Sequence, residues 1–161
     1  MTDEPRQAAG TIGRSRARLA AVQALYQIDI NEMPVEDVIE QLRARGDDEE
    51  GFGDADDWLL ADIVRGTVAN RDDLDSLLDE MLAPGWTLAR LETVLRAVLR
   101  AGAYELLARL EVPARVAINE YVDIAHAFFA GKEPGLVNGV LDRVGRRLRP
   151  GELHGEAAAP R

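Results

Sequence analysis

Apolar residues in this chain return at steps of three and four almost from end to end, and nowhere do they alternate with period two for long enough to make a convincing strand. That spacing confines burial to helix faces, so the expected fold class is all-α. The pattern is plainest between Pro113 and Leu148. Ala117, Tyr121, Ile124, Ala125 and Phe128 form one stripe, widened by Ile118, Val122 and Phe129, while Asn119, Asp123 and His126 fall opposite at the same period. Pro113 suits the first turn of that helix, where its missing N–H costs nothing and its φ is already right. Pro134 can open the next helix, striped by Val137, Val140, Leu141, Val144 and Leu148. With Gly131-Lys132-Glu133 as the turn, the two helices make an αα-hairpin.

The same reading extends upstream. A helix is expected from Arg14 to about Ile30, with Ala17, Ala21, Ala24, Leu25 and Ile28 on one face, and a second from Met33-Pro34 through Val35, Val38, Ile39 and Leu42. Residues 46–57 hold three glycines and seven acids, which is loop composition. A long periodic stretch runs through Leu60, Ile63, Thr67, Leu74, Leu78 and Met81 to Pro84-Gly85, and Leu88, Leu91, Leu95, Val98 and Gly102 repeat it. Gly102 suits a close helix approach. Residues 1–13, broken by Pro5, Gly10 and Gly13, are expected to be a disordered arm, 14–149 a helical domain, and 150–161 a frayed tail. That gives six or seven helices, with no internal repeat and no clear internal boundary.

A chain of 161 residues is long enough for one domain with a real core and leaves no room for a catalytic second one. It has no cysteine, which excludes disulfides and thiolate metal sites. No segment has the length of a membrane span or a signal peptide, so the expected location is the cytoplasm. The net charge of −10 looks wrong for a nucleic-acid binder, but it is local: residues 29–80 hold 18 acids and 4 bases, while both flanks are mildly basic. Phosphate contacts answer to the local patch. All but one of the 19 basic residues are arginine, and the exception is Lys132. Arginine favours forked phosphate contacts, though a GC-rich genome produces the same bias.

Arg14-Ser15-Arg16-Ala17-Arg18 is a candidate phosphate-contacting cluster, with Arg14 and Arg18 one turn apart on a face and Arg16 turned away. A solvated basic helix end reads the same way. Asn119, Glu120 and Asn138 sit within apolar helices and read as structural ties between helices or caps. Glu120 and Asp123 stand three apart, which is more often a solvated face than a catalytic pair. His126 and His154 are the only histidines, and neither a zinc site, a nucleophile triad nor a glycine-rich phosphate loop is present, so no cofactor or metal is expected.

Three blocks, Ala21-Val22-Gln23-Ala24-Leu25-Tyr26 after the basic run, Val98-Leu99-Arg100-Ala101-Gly102-Ala103-Tyr104-Glu105-Leu106, and Val112 to Glu120 followed by Val137-Asn138-Gly139-Val140-Leu141-Asp142, stand in the order and spacing of the bacterial NusB family. The chain resembles that family from about Arg14 to Arg149. The resemblance implies two small helical bundles packed together and a non-enzymatic transcription antitermination factor. Such a factor binds single-stranded boxA RNA of nascent ribosomal transcripts together with the small-subunit ribosomal protein NusE, within the RNA polymerase antitermination complex. It also implies RNA contacts at Arg14, Ser15, Arg16, Arg18, Lys132 and Leu136, partner contacts at Tyr26, Leu95 and Arg96, and signature status for Asn119, Glu120 and Asn138. Relatives often carry an acid where Lys132 stands and an aromatic where Leu136 stands, and leucine cannot stack on a base. Tyr26 fits a core tyrosine as well as a partner contact, and Leu136 fits core packing. Two rival readings share the fold: a helical adaptor without RNA affinity, and a stand-alone relative of the N-terminal domain of ribosomal RNA cytosine methyltransferases.

Overall fold

The computed structural model describes residues 4–45 and 55–153, with side chains described from Gly10 onward. Most of the acidic loop, His154 and the end of the tail lie outside the described residues. Among the described residues there are seven α-helices, one 3-10 turn and no strand, which is the expected all-α class. The chain divides into two compact units, 1–69 and 70–161. The division falls at Asn70, inside the stretch from Leu60 to Met81 that the periodicity alone reads as continuous.

The first unit holds α1 (Glu4–Asn31), α2 (Val35–Ala44) and α3 (Asp57–Ala69). Helix α1 begins ten residues before the expected start, so residues 4–13 are helical and not a disordered arm. Pro5 falls in the first turn, where proline is tolerated. Gly10 and Gly13 each cost about 1 kcal/mol relative to alanine in a helix interior. At Gly13 packing offsets that cost: the residue is buried and its carbonyl accepts the N–H of Asp56 at 2.9 Å. Asp56 in turn caps α3, its Oδ1 accepting the N–H of Leu59 at 3.0 Å. Helix α1 ends on Glu32, whose φ of 52° is left-handed and whose N–H bonds the carbonyl of Ile28 at 3.0 Å.

Small residues Ala17, Ala20, Ala21 and Ala24 let α1 pack closely on α3 and α2, where Val38, Ile39, Leu42, Leu60, Ile63 and Val64 complete the core. Two exposed ion pairs join α2 to α3: Arg43 holds Asp57 at 2.7 and 2.9 Å, and Arg65 holds Glu36 at 2.8 and 2.6 Å. The hydrogen bond from Arg65 keeps the Glu36 carboxyl below its ordinary pKa. Solvent screening keeps such pairs weak as stabilisers.

The second unit holds α4 (Arg71–Met81), a 3-10 turn (Leu88–Arg90), α5 (Thr93–Ala108), α6 (Ala114–Phe128) and α7 (Glu133–Leu148). Leu88 and Leu91, expected to start a helix, lie in and just after the 3-10 turn, and α5 begins at Thr93. Helix α5 is central, buried without a break from Ala97 to Leu106 and packed on α4, α6 and α7. Gly102 is where they crowd most. A Cβ there would stand 2.6 Å from Leu141 Cδ1 and 3.3 Å from Tyr121 Cδ2, so the glycine permits the close approach its place in the pattern suggested. The apolar stripe of α6 is buried as expected up to Ala125, but Phe128 is exposed, because the helix ends there.

Polar groups tie this unit together from inside. Tyr121 donates its hydroxyl to Glu105 Oε2 at 2.5 Å, both side chains being fully buried. Arg149, just past α7, is buried and donates to the carbonyls of Glu105, Leu106, Arg109 and Val112 at 3.1, 2.9, 2.9 and 2.6 Å. Two of those carbonyls belong to the last turn of α5 and two to the loop beyond it, so one guanidinium ties the helix end to the segment that follows. Arg143 reaches the end of α4, its Nε on the carbonyl of Met81 at 2.7 Å. The described part of the tail is fixed and not frayed. Leu153 is buried against Gly145, and Glu152 Oε2 accepts the N–H of Ala114 at 3.1 Å, capping α6 from a distance in sequence.

Candidate nucleic-acid interface

The candidate residues divide between the two units. In the first, Arg14 and Arg16 are exposed on α1 and Ser15 is half-buried. Arg14 is steadied by its Nη2 on Thr11 Oγ1 at 3.3 Å. Arg18 is different. It is only 1% exposed, so the expected pairing of Arg14 with Arg18 on one open face fails. The reason lies in the helix period: Arg18, Ala21, Val22 and Leu25 stand at i, i+3, i+4 and i+7, and all four are buried. The guanidinium therefore belongs to the interior, and the open pair is Arg14 and Arg16, the latter being the residue expected to turn away.

Tyr26, further along α1, is 38% exposed. Ile30, one turn beyond it, is also exposed. The expectation for the second contact region is corrected. Leu95 is 4% exposed and belongs to the α5 core. Its neighbour Arg96 is half-buried, with Nη1 on the carbonyls of Ala89 (3.2 Å) and Leu91 (2.8 Å) and Nη2 on Thr93 Oγ1 (3.2 Å). That side chain fastens the 3-10 turn to α5.

In the second unit Lys132 is exposed at the N-cap position of α7, and its ammonium has no hydrogen bond or ion pair among the described residues. Leu136, one turn on, is half-buried, and the exposed Gly135 between them leaves open space where a side chain would stand. Asn119 and Asn138, expected to tie helices together, are exposed and make no side-chain hydrogen bond among the described residues, so that structural reading is corrected for both. Glu120 is half-buried. The internal ties are made instead by Glu105, Tyr121 and Arg149. Glu105 was detectable as the one acid in an otherwise buried apolar run. Arg149 carried no signal, because it follows the last periodic residue.

Most arginines of α7 are already engaged. Arg146 holds Asp142 at 2.8 Å and the carbonyl of Leu153 at 2.8 Å, and Arg147 reaches Glu80 at 3.1 Å. Burial alone would raise the pKa of Asp142, but hydrogen bonds from Arg146 and from Arg115 at 3.4 Å outweigh it and hold the carboxyl below its ordinary value. A count of basic residues thus overstates what this unit offers a phosphate.

Comparison with known proteins places the chain. The NusB family profile matches residues 15–146. Transcription antitermination protein NusB of Nitrobacter hamburgensis is 48% identical over 144 residues, covering 87% of this chain and 90% of the relative. That of Bradyrhizobium diazoefficiens is 48% identical, covering 87% of each. Among solved structures, NusB of T. maritima superimposes with a TM-score of 0.73 at 30% identity, over 88% of this chain and 96% of that one. A complex of antitermination factors NusB and NusE with double-stranded RNA has a TM-score of 0.67 at 23% identity, over 83% and 96%, a likeness of fold. With a family match over most of its length and close relatives covered nearly end to end, this chain belongs to the NusB family.

Proposed function

We propose that the chain is a transcription antitermination factor that binds single-stranded boxA RNA of ribosomal transcripts jointly with ribosomal protein NusE, as part of the RNA polymerase antitermination complex. The observation that carries this reading is the 48% identity to antitermination proteins over nearly their full length. It is a cytoplasmic function of binding and not of turnover. The exposed Arg14 and Arg16 supply forked phosphate contacts at one place, and the exposed Lys132 supplies a point charge at another. Tyr26 is the aromatic candidate for the protein partner. Arg18 and Leu95 are assigned no contact, because burial removes both from reach.

Few open cations on a protein of net charge −10 make weak binding alone and tighter binding in the pair, since the second contact becomes effectively intramolecular. The test is titration of labelled boxA RNA with and without NusE, at several salt concentrations. Replacing Arg14 and Arg16 with alanine should weaken binding and flatten the logarithmic salt slope by about 1.4, the release expected for two phosphates of a single strand. An unchanged slope would reduce the cluster to a solvated helix end. Absence of RNA binding even with NusE would leave a protein-only adaptor.

A further inference from the structure

On α6, Arg115, Asn119, Val122 and His126 recur at steps of four, three and four, so they share one face of the helix. On α7, Gly135, Asn138 and Asp142 do the same. The two faces adjoin, because Arg115 Nη2 reaches Asp142 Oδ1 at 3.4 Å across the hairpin. Together they make a strip along the α6–α7 seam that runs from this ion pair towards the turn holding Lys132. From Gly135 to Asp142 the helix rises about 10 Å, which sets the length of the strip.

The two asparagines of the strip are uncommitted. Asn119 and Asn138 are exposed, and neither amide has a hydrogen bond among the described residues. Asparagine is a poor helix former, so the helices that carry these residues do not explain them. Towards the turn from both amides the floor is low. Gly135 leaves open space where a Cβ would stand and Val122 is half-buried, so a flat group can settle close to the helix backbone there. His126, exposed at that end of the strip, adds a ring on which a base can stack.

Charge on the strip is largely spent. Asp142 is held by Arg146 at 2.8 Å as well as by Arg115, and the helix period puts Asp123 on the outer side of Asn119, away from α7. What is left for a ligand is amide chemistry. Each asparagine presents a donor and an acceptor side by side, the pattern that pairs with the edge of adenine.

We propose that Asn119 and Asn138 read the edges of unpaired bases in the bound RNA strand, while Lys132 holds the backbone at the turn. The inference rests on the reading of Lys132 as an RNA contact and adds sequence discrimination to it, since a lysine holds phosphate whatever the base. A single strand is the fitting ligand, because its base edges are open to side chains.

The test is titration of labelled boxA RNA in the presence of NusE. Asn119→Ala and Asn138→Ala should each weaken binding about tenfold. The logarithmic salt slope should stay as in the parent, because a neutral amide releases no counterion. So should the melting temperature, since neither side chain has a hydrogen bond to lose. Gly135→Leu should fill the low floor and weaken binding while raising the melting temperature, glycine being the poorer helix former. A purely structural role would move the two readouts in the same direction. RNA with purine in place of adenine lacks the exocyclic amino group, so it should bind the parent more weakly and be indifferent to the asparagine variants.

Parent-like affinity in both asparagine variants would overturn the proposal and leave the antitermination reading intact. An equal loss against adenine and purine RNA would also overturn it, making the amides backbone contacts. So would a loss of NusE affinity in the absence of RNA, which would assign the strip to the protein partner. A parent that binds no RNA even with NusE removes the antitermination reading and this inference with it.

Discussion

Arg149 is the side chain on which the second unit most depends. Replacing it with methionine keeps the length and apolar stem but removes every donor to the carbonyls of Glu105, Leu106, Arg109 and Val112. A hydrogen bond from a charged donor is worth about 1.5 to 3 kcal/mol. The released carbonyls at the end of α5 recover part of that from water, and methionine is spared the desolvation of a buried charge, which brings the net loss to about 3 to 5 kcal/mol. The melting temperature should fall by about 10 to 20 °C. Fluorescence of Trp86, in the same unit, in the Trp58→Phe background follows this unit specifically, which matters if the two units do not melt together. Arg149→Lys should recover less than half of the loss, because an ammonium has three donors and no fork with which to span four carbonyls. A melting temperature within about 3 °C of the parent in the methionine variant would refute the reasoning and show that water satisfies these carbonyls as well as arginine does.

Gly102→Ala should destabilise by about 1 to 3 kcal/mol in chemical unfolding, because its Cβ would press on Leu141 and Tyr121, both fully buried; a neutral result would mean that Leu141 rotates away freely. Glu32→Gly should stabilise by up to about 1 kcal/mol, relief of left-handed strain outweighing glycine's greater unfolded-state entropy, and a lower melting temperature would reverse that balance. Asp142→Asn tests linkage. Since the folded pKa of Asp142 is below its unfolded value, the carboxylate contributes stability above about pH 4 and loses it as pH falls through the folded value. The difference between parent and variant should be full at pH 7 and vanish at strongly acid pH, and a difference independent of pH would remove the charge from the explanation.

Helix positions were legible because burial here follows the helix period, and Val35–Ala44 and Ala114–Phe128 begin within a residue or two of where proline and apolar spacing place them. The break at Asn70 was not legible, since α3 and α4 carry the same spacing on either side of one polar residue. Residues 4–13 were misread because two glycines count against helix in isolation, whereas Gly13 is placed where another backbone N–H meets its carbonyl. The candidate site was only half legible. Residue type identifies arginine as a phosphate ligand, but it cannot say that Arg18 is interior or that Arg149 and Arg143 are spent on helix ends. Likewise the family pattern marks Asn119 and Asn138, and only the fold shows them in solvent.

The exposed Lys132 has a practical consequence. It carries the only side-chain amine in the sequence, and there is no thiol. Apart from the chain's α-amino group, an acylating dye has one residue to modify. The first turn of α7 can therefore be labelled at a single atom without introducing a cysteine or altering any tie inside the unit.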